Sequence, residues 1–277
     1  KIVIIRHEKS KGVAAARNAA VLASSGEYIA FLDADDRWLP DKLSRVVPIL
    51  ESDPDCVLVF HDGLEVDECD RVVAEGFLCA GIAAGPSLDD LLRTRWYGAI
   101  LPSAVVMRRS AFDRAAGFSE QLTSCEDAYL WVLAREQGTF RCVPEPLMRR
   151  RLSYTVDREQ WYLEGACKLE ALLRARFGNR ARPTVVSELL SWAGRNAMGR
   201  DDLATARRNF FESIKSDPAK AKNYLRLAWS LIPRKLSREL EALLPTRVAR
   251  TLGGRRDVIA GYSASITHTQ LVNGKID

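Results

Sequence analysis

The sequence predicts an α/β fold, an open sheet with helices packed against it, followed by an all-helical C-terminal appendage. Three observations lead there. Short uninterrupted apolar runs at residues 2–5, 28–32 and 56–61 are bounded by turn-forming residues, the pattern of strands buried on both faces. Helix-period segments lie between those runs, at 13–23 and 43–50. Beyond Tyr154 apolar residues recur every three or four positions and strand patterns cease.

The chain has 277 residues, enough for a substantial core and one or two domains. Its net charge of +5 fits an anionic substrate or a membrane surface and does not call for nucleic acid. Six cysteines, Cys56, Cys69, Cys79, Cys125, Cys142 and Cys167, are irregularly spaced without a C-x-x-C pair. They read as reduced thiols of a cytoplasmic protein, not as a disulfide framework or a zinc site. The sequence carries no run of 18 apolar residues and no visible signal peptide. It enters at Lys1 inside an apolar run, so the natural start is expected upstream.

Taken in order, residues 2–5 are expected to form a buried strand, and 6–11 a polar loop. Gly12 opens an alanine-rich helix over 13–23. Lys11 and Gly12 at that helix start are suited to a phosphate, because backbone N–H groups and positive charge point the same way. Arg17 and Asn18 fall in its second turn, where Arg17 is either solvated or a functional neighbour of the next strand. That strand lies in GEYIAFLDADDRW, residues 26–38, and ends in Asp33, Asp35 and Asp36. Crowded carboxylates repel unless a cation sits between them, and hard oxygen ligands suit Mg²⁺ or Mn²⁺. The alternative is an acidic turn that caps the next helix.

Pro40 stands at a first-turn position ahead of Leu43, Val46, Val47 and Leu50, with Pro48 a candidate kink. Residues 56–61 are a strand capped by His61, and 62–86 read as irregular with at most one short strand. Ser87 begins a capping-box helix, 103–108 is a strand, and Ser110 caps a helix that stops at Gly117.

Ser124 is the expected N-cap of a helix with Glu126 and Asp127 in its first turn. Acidic residues there complement the helix dipole, which explains both structurally. Functionally, a carboxylate near its reference pKa of about 3.9 is ionised at neutral pH and can act as general base. Asp127 and Trp131 lie one helical turn apart, so carboxylate and indole share a face fit to hold a sugar. Residues 139–143 and 147–151 read as short strands around Pro144 and Pro146. Arg149, Arg150 and Arg151 either meet a diphosphate or are solvated.

Three segments, KGVAAARNAA (11–20), GEYIAFLDADDRW (26–38) and EDAYLW (126–131), together resemble the family 2 glycosyltransferases over about residues 1–153. The resemblance implies a GT-A fold, a Rossmann-like mixed sheet with helices on both faces. It implies a nucleotide-sugar donor, an inverting displacement and a divalent metal, Mn²⁺ or Mg²⁺. It assigns Asp33 to the nucleotide ribose and Asp35 to the metal, with Asp33 beside it. Arg17 would approach the nucleotide, with Lys11 and Arg150 as further donor contacts. Asp127 would be the base, with Glu126 as alternative, and Trp131 the acceptor contact. The acceptor class implied is a glycan or lipid-linked molecule, in glycan or surface-polysaccharide synthesis.

Family members begin with two strands that hold the nucleotide base, and neither segment is present here. The domain expectation is therefore an N-terminally incomplete GT-A unit at 1–154, a helical appendage at 155–257 and a poorly ordered tail at 258–277. Two other classes compete: a non-catalytic fragment that keeps the appendage as an interaction surface, and a D-x-D phosphohydrolase. Arg37 at the fifth position argues against the latter. Within the appendage, 202–231 faintly resembles a tetratricopeptide helix pair. Basic residues interleaved with leucines over 233–257 make that stretch a candidate for an anionic membrane surface, with a solvated basic helix as the alternative.

Overall fold

A computed structural model of the chain describes residues 2–75, 85–93, 98–151, 159–232, 234–244 and 252. The expected tail at 258–277 and the boundary at residue 154 lie outside these residues, as do 76–84 of the expected irregular segment.

The architecture is a six-stranded mixed sheet with helices on both faces, continued by helices alone. In chain order, α1 (Val13–Leu22) leads to β1 (Tyr28–Ala30) and β2 (Arg37–Trp38), then α2 (Lys42–Ser52), β3 (Cys56–Val66) and β4 (Val72–Glu75). These are followed by α3 (Leu88–Leu92), β5 (Val105–Arg108), α4 (Arg109–Arg114), α5 (Glu126–Arg135) and β6 (Thr139–Arg151). The strand order is β1-β5-β3-β6-β2, with β4 paired to β3. Among the described residues only β3 and β6 run parallel, and the other pairings are antiparallel.

β3 is the strand buried on both faces. Leu58 and Phe60 enter the main core with α1, α4 and α5, while Cys56 and Val59 meet Val46 and Leu50 of α2 on the other side. Each of these large apolar side chains contributes about 1.5–3 kcal/mol through burial. Pro48 lies inside α2, and the helix continues past it to Ser52.

Several expectations are corrected. Residues 2–5 form no strand: Ile2 is 92% and Ile4 78% exposed. An apolar run becomes a strand only where a ladder partner and a covering face exist. β1 spans three residues at one end of the strand order and pairs antiparallel with β5 (Ile29 opposite Met107) instead of parallel. Its two faces are covered, Ile29 in the main core and half-buried Tyr28 and Ala30 against the cluster of Val46 and Leu50. Pro40 precedes Asp41, the N-cap of α2.

His61 does not end its strand, because β3 runs on to Val66 and returns through β4 by a turn at Asp70 with φ 63°. The two short strands expected around Pro144 and Pro146 are one strand, β6, whose register against β3 shifts at His61–Asp62. Arg108, not Ser110, holds the N-cap position of α4. The capping box of α3 is present, with Ser87 and Asp90 exchanging side-chain-to-backbone bonds. Cys142 is disulfide-bonded, against the expectation of reduced thiols, while Cys56, Cys69, Cys125 and Cys167 are free.

The C-terminal helices are α6 (Glu159–Phe177), α7 (Val185–Gly199), α8 (Leu203–Ser216), α9 (Ala221–Leu231) and α10 (Arg234–Leu243). Ala166, Leu169 and Leu173 of α6, with Val185 and Leu189 of α7, complete the main core. Further along, Ala197, Met198, Ala206, Phe210 and Trp229 form a separate cluster. Among the described residues no helix is long and apolar enough to cross a membrane.

Candidate functional site

The site forms where α1, the end of β1 and the start of α5 converge. Gly12 precedes α1 with φ 87°, a backbone conformation that favours glycine, and nothing stands within 4 Å of a Cβ placed there. The requirement is therefore conformational, not steric. One turn and a half along the helix, Arg17 spreads its guanidinium between two segments. Nη2 donates to Asp33 Oδ1 at 2.6 Å, and Nη1 donates to Glu126 Oε1 at 2.7 Å. The ring of Phe118 lies 5.3 Å below the guanidinium carbon.

Burial alone would lower the Arg17 pKa, but Asp33, then Glu126 and Asp127, outweigh it and hold the pKa above its ordinary value. Asn18 fastens the same helix to the loop after α4. Its Nδ2 donates to the Phe118 carbonyl at 2.9 Å, and its Oδ1 accepts the Phe118 N–H at 2.9 Å.

α5 does not begin as expected. Cys125 is its N-cap, in a left-handed conformation with φ 66°, and makes no side-chain cap bond. Ser124, the predicted cap, instead donates from Oγ to the Trp161 carbonyl of α6 at 3.2 Å. This start brings Glu126, which is buried, onto Arg17, and sets Asp127 beside it. Asp127 accepts the Ala128 N–H on Oδ1 at 2.7 Å. Burial first, then the Glu126 charge, push its pKa up from 3.8 to about 7, against the pull of Arg17. The expectation of a carboxylate near its reference pKa is corrected accordingly.

Asp35 stands exposed in the turn after β1, where Asp36 N–H closes onto the Asp33 carbonyl at 3.1 Å. Asp36 is half-buried; burial raises its pKa, the Ser103 hydroxyl opposes that, and Asp35 and Asp33 add to it. Lys11 is exposed ahead of α1. Arg150 pairs with buried Glu65 at 3.3 Å and exerts a positive charge on Asp36.

Trp131 is not at the surface. Its ring packs in the main core and its Nε1 donates to the Ile100 carbonyl at 3.0 Å, so the expected acceptor contact is corrected to a core residue. The i, i+4 spacing placed it on the face of Asp127, but that face turns into the protein.

The sequence reading missed Lys42, Ser103 and the burial of His61. Lys42 is buried, donates to the Ser103 carbonyl at 2.6 Å, and lies over the Trp38 ring at 4.1 Å. Burial lowers its pKa to about 7, with Asp36 acting the other way. His61, fully buried, is held near pKa 3 by burial and by the Lys42 charge, so its ring is neutral; Nδ1 meets the Asp62 carbonyl at 2.7 Å. A lysine at a helix start carries no sequence signal of burial.

Residues 1–114 match the family model described as Glycosyl transferase family 2. The chain is similar to the Escherichia coli protein named UDP-Glc:alpha-D-GlcNAc-diphosphoundecaprenol beta-1,3-glucosyltransferase WfaP, at 42% identity over 138 residues, half of each chain. It is also similar to Rv1520 of Mycobacterium tuberculosis, at 28% identity over 96% of this chain and 78% of that one. Among solved structures, the mannosyltransferase PcManGT from Pyrobaculum calidifontis, in complex with GDP-Man and Mn²⁺, matches at 15% identity with a TM-score of 0.45. That match covers 91% of this chain and 66% of the other.

Proposed function

We propose that this chain, which belongs to glycosyl transferase family 2 through residues 1–114, transfers a sugar from a nucleotide-sugar donor to an acceptor hydroxyl with inversion. The carrying observation is the Arg17 fork, which ties Asp33 of the acidic turn to Glu126 and leaves Asp127 beside it with a pKa of about 7.

Such a transfer needs charge stabilisation on the leaving diphosphate and a base for the acceptor proton. Among the described residues no group of three or more His, Cys, Asp or Glu could hold a metal by itself. The exposed Asp35 carboxylate, with Asp33 next to it, fits a divalent ion shared with substrate phosphates, since such ions are commonly held by one or two carboxylates plus phosphate. Bound there, Mn²⁺ or Mg²⁺ would neutralise charge on the departing diphosphate.

Arg17 orients Asp33 towards the donor. Lys11 at the foot of α1, and Arg150 beside Asp36, are assigned to the donor's phosphates. Asp127, its pKa raised to about 7 by burial and the Glu126 charge, accepts the acceptor's proton, with Glu126 as the alternative base. Glu126 is the weaker choice because Arg17 already occupies one of its oxygens.

The likeness to WfaP, whose name specifies a diphosphoundecaprenol-linked acceptor, supports a lipid-linked glycan as acceptor class. An acceptor of that kind places the work at the cytoplasmic face of a membrane, with the stretch 233–257 as the contact. α10 exposes Leu236 and Leu243 within it.

The test is nucleotide release from UDP-glucose and GDP-mannose with Mn²⁺ and a diphospholipid-linked sugar acceptor. Release is expected to depend on metal and acceptor and to be lost in Asp35→Ala. Release unaffected by chelation, or by Asp35→Ala, overturns the assignment of Asp35.

A further inference from the structure

We infer that Ser103 is a positioning residue that fixes the acidic turn 33–36 and thereby aims Asp35. The inference rests on the proposed function for what the turn binds, and on geometry alone for what holds the turn.

Ser103 is fully buried in a 3-10 turn, Pro102–Ala104, which leads directly into β5. Because β5 pairs with β1 on one side and β3 on the other, this turn belongs to the rigid part of the sheet. Three hydrogen-bond donors from residues 33–42 converge on it. The Asp33 N–H donates to Ser103 Oγ at 3.0 Å. The same hydroxyl also lowers the pKa of the Asp36 carboxylate, against the effect of burial. The Ser103 carbonyl accepts Trp38 Nε1 at 3.0 Å and Lys42 Nζ at 2.6 Å.

Each partner uses a different capacity of one residue. A hydroxyl has one proton and two lone pairs, so accepting from Asp33 leaves its proton available to favour the charged form of Asp36. A carbonyl has two lone pairs, and here two donors take them. The hydroxyl thus holds the Asp33 end of the turn whose inner bond is Asp36 N–H to the Asp33 carbonyl. Asp35, within that turn, keeps its carboxylate in solvent. Three neighbouring carboxylates repel, and a turn held by its inner bond alone would spread. The Lys42 amine lies behind the turn, out of solvent.

The β5 and β3 ladders use backbone groups, so they do not need this hydroxyl. The Ser103 side chain serves the turn.

The test compares wild type with Ser103→Ala and Ser103→Cys, the latter keeping the volume if alanine fails to fold. Two readouts are taken: amide hydrogen exchange of the metal-free protein, and calorimetric binding of UDP and GDP with Mn²⁺. Loss of the hydroxyl is expected to speed exchange at residues 33–36 at least tenfold while β3 and β5 stay protected. It should weaken Mn²⁺-dependent nucleotide binding by up to about tenfold, the upper end for one neutral hydrogen bond. Unchanged exchange at 33–36 overturns the inference. So does a uniform rise across β3 and β5, which would make Ser103 a packing residue only. If wild type binds neither nucleotide, the proposed function fails for these donors, and the exchange arm alone still decides whether Ser103 holds the turn.

Discussion

Arg17 and Glu126, 109 residues apart in sequence, meet at 2.7 Å between Nη1 and Oε1, with both side chains largely out of solvent. The second terminal nitrogen of the same guanidinium binds Asp33. One planar cation therefore sets the spacing between the acidic turn after β1 and the start of α5.

Replacing Arg17 by Gln is expected to cost about 3–5 kcal/mol, because Glu126 then stays buried with no cation to face. Arg17→Lys should fare only slightly better, since one ammonium cannot span both carboxylates as a fork does. Arg17 also holds the Asp127 pKa down, so its loss should move that residue's titration to higher pH. Chemical denaturation measures the first effect and a pH–rate profile the second. A stability loss below about 1 kcal/mol would place this pair with ordinary surface ion pairs.

For Asp127 the sign runs from its raised pKa. A base must be ionised, so turnover should climb with pH and level off above about 7. Asp127→Asn should remove that limb and lower turnover by about 10²–10⁴-fold. Stability moves the other way. Between the ordinary value of 3.8 and about 7 the folded state holds a proton that the unfolded chain has released, so this group's stabilisation fades as pH rises across that window. The Asn variant lacks that slope. Glu126→Gln is the control, and a turnover loss under fivefold for Asp127→Asn would return the residue to a helix-start role.

The helices were legible because their apolar spacing and breakers agree: α1 ends before the Ser24-Ser25-Gly26 stretch, and α6 to α9 lie where apolar residues recur every three or four positions and strand patterns cease. Strand identity was less so. Residues 2–5 and 28–32 carry similar apolar runs, yet only part of the second finds a ladder, because pairing depends on residues some 80 positions away. The Asp33, Asp35 and Asp36 cluster and the Glu126–Asp127 pair stand out in one dimension, and the structure brings Arg17 between Asp33 and Glu126. What remained hidden was direction and burial. Trp131 has the right spacing and the wrong side, the α5 cap comes from the backbone of Cys125, and Ser103 acts through partners found only in three dimensions.

Lys42 yields a prediction of opposite slope to that of Asp127. Its folded pKa is about 7 against an ordinary 10.5, so between those values the unfolded chain binds a proton that the folded state does not. Stability contributed by the neutral amine therefore grows as pH rises from 7 towards 10.5 and is lost as pH falls through 7. Lys42→Met should abolish that rise. The measurement is the difference in unfolding free energy between wild type and variant at pH 7 and pH 10. Equal differences at the two values would mean that the ammonium is solvated in the folded protein.

Gly165 of α6 tests whether the helical appendage positions the acidic pair. A Cβ there would stand 1.9 Å from Ser124 Oγ, 2.8 Å from the Ser124 carbonyl and 3.0 Å from its Cβ. Helix propensity favours Gly165→Ala by about 1 kcal/mol. Overpacking opposes it, typically by about 1–3 kcal/mol, and here one of the crowded atoms is backbone oxygen that cannot rotate away. Crowding should win, and the variant should lose stability despite the better helix former. Ser124 directly precedes Cys125, whose left-handed turn launches α5, so displacement at Ser124 carries to Glu126 and Asp127. Turnover should therefore fall further than the folded fraction does. Adding Ser124→Gly removes Oγ and Cβ and leaves only the carbonyl crowded. The double variant should recover part of both losses, with a coupling of about 0.5–3 kcal/mol in a thermodynamic cycle. A stabilising Gly165→Ala, or a cycle that sums to zero, would mean that α6 and the start of α5 are packed too loosely for one to steer the other.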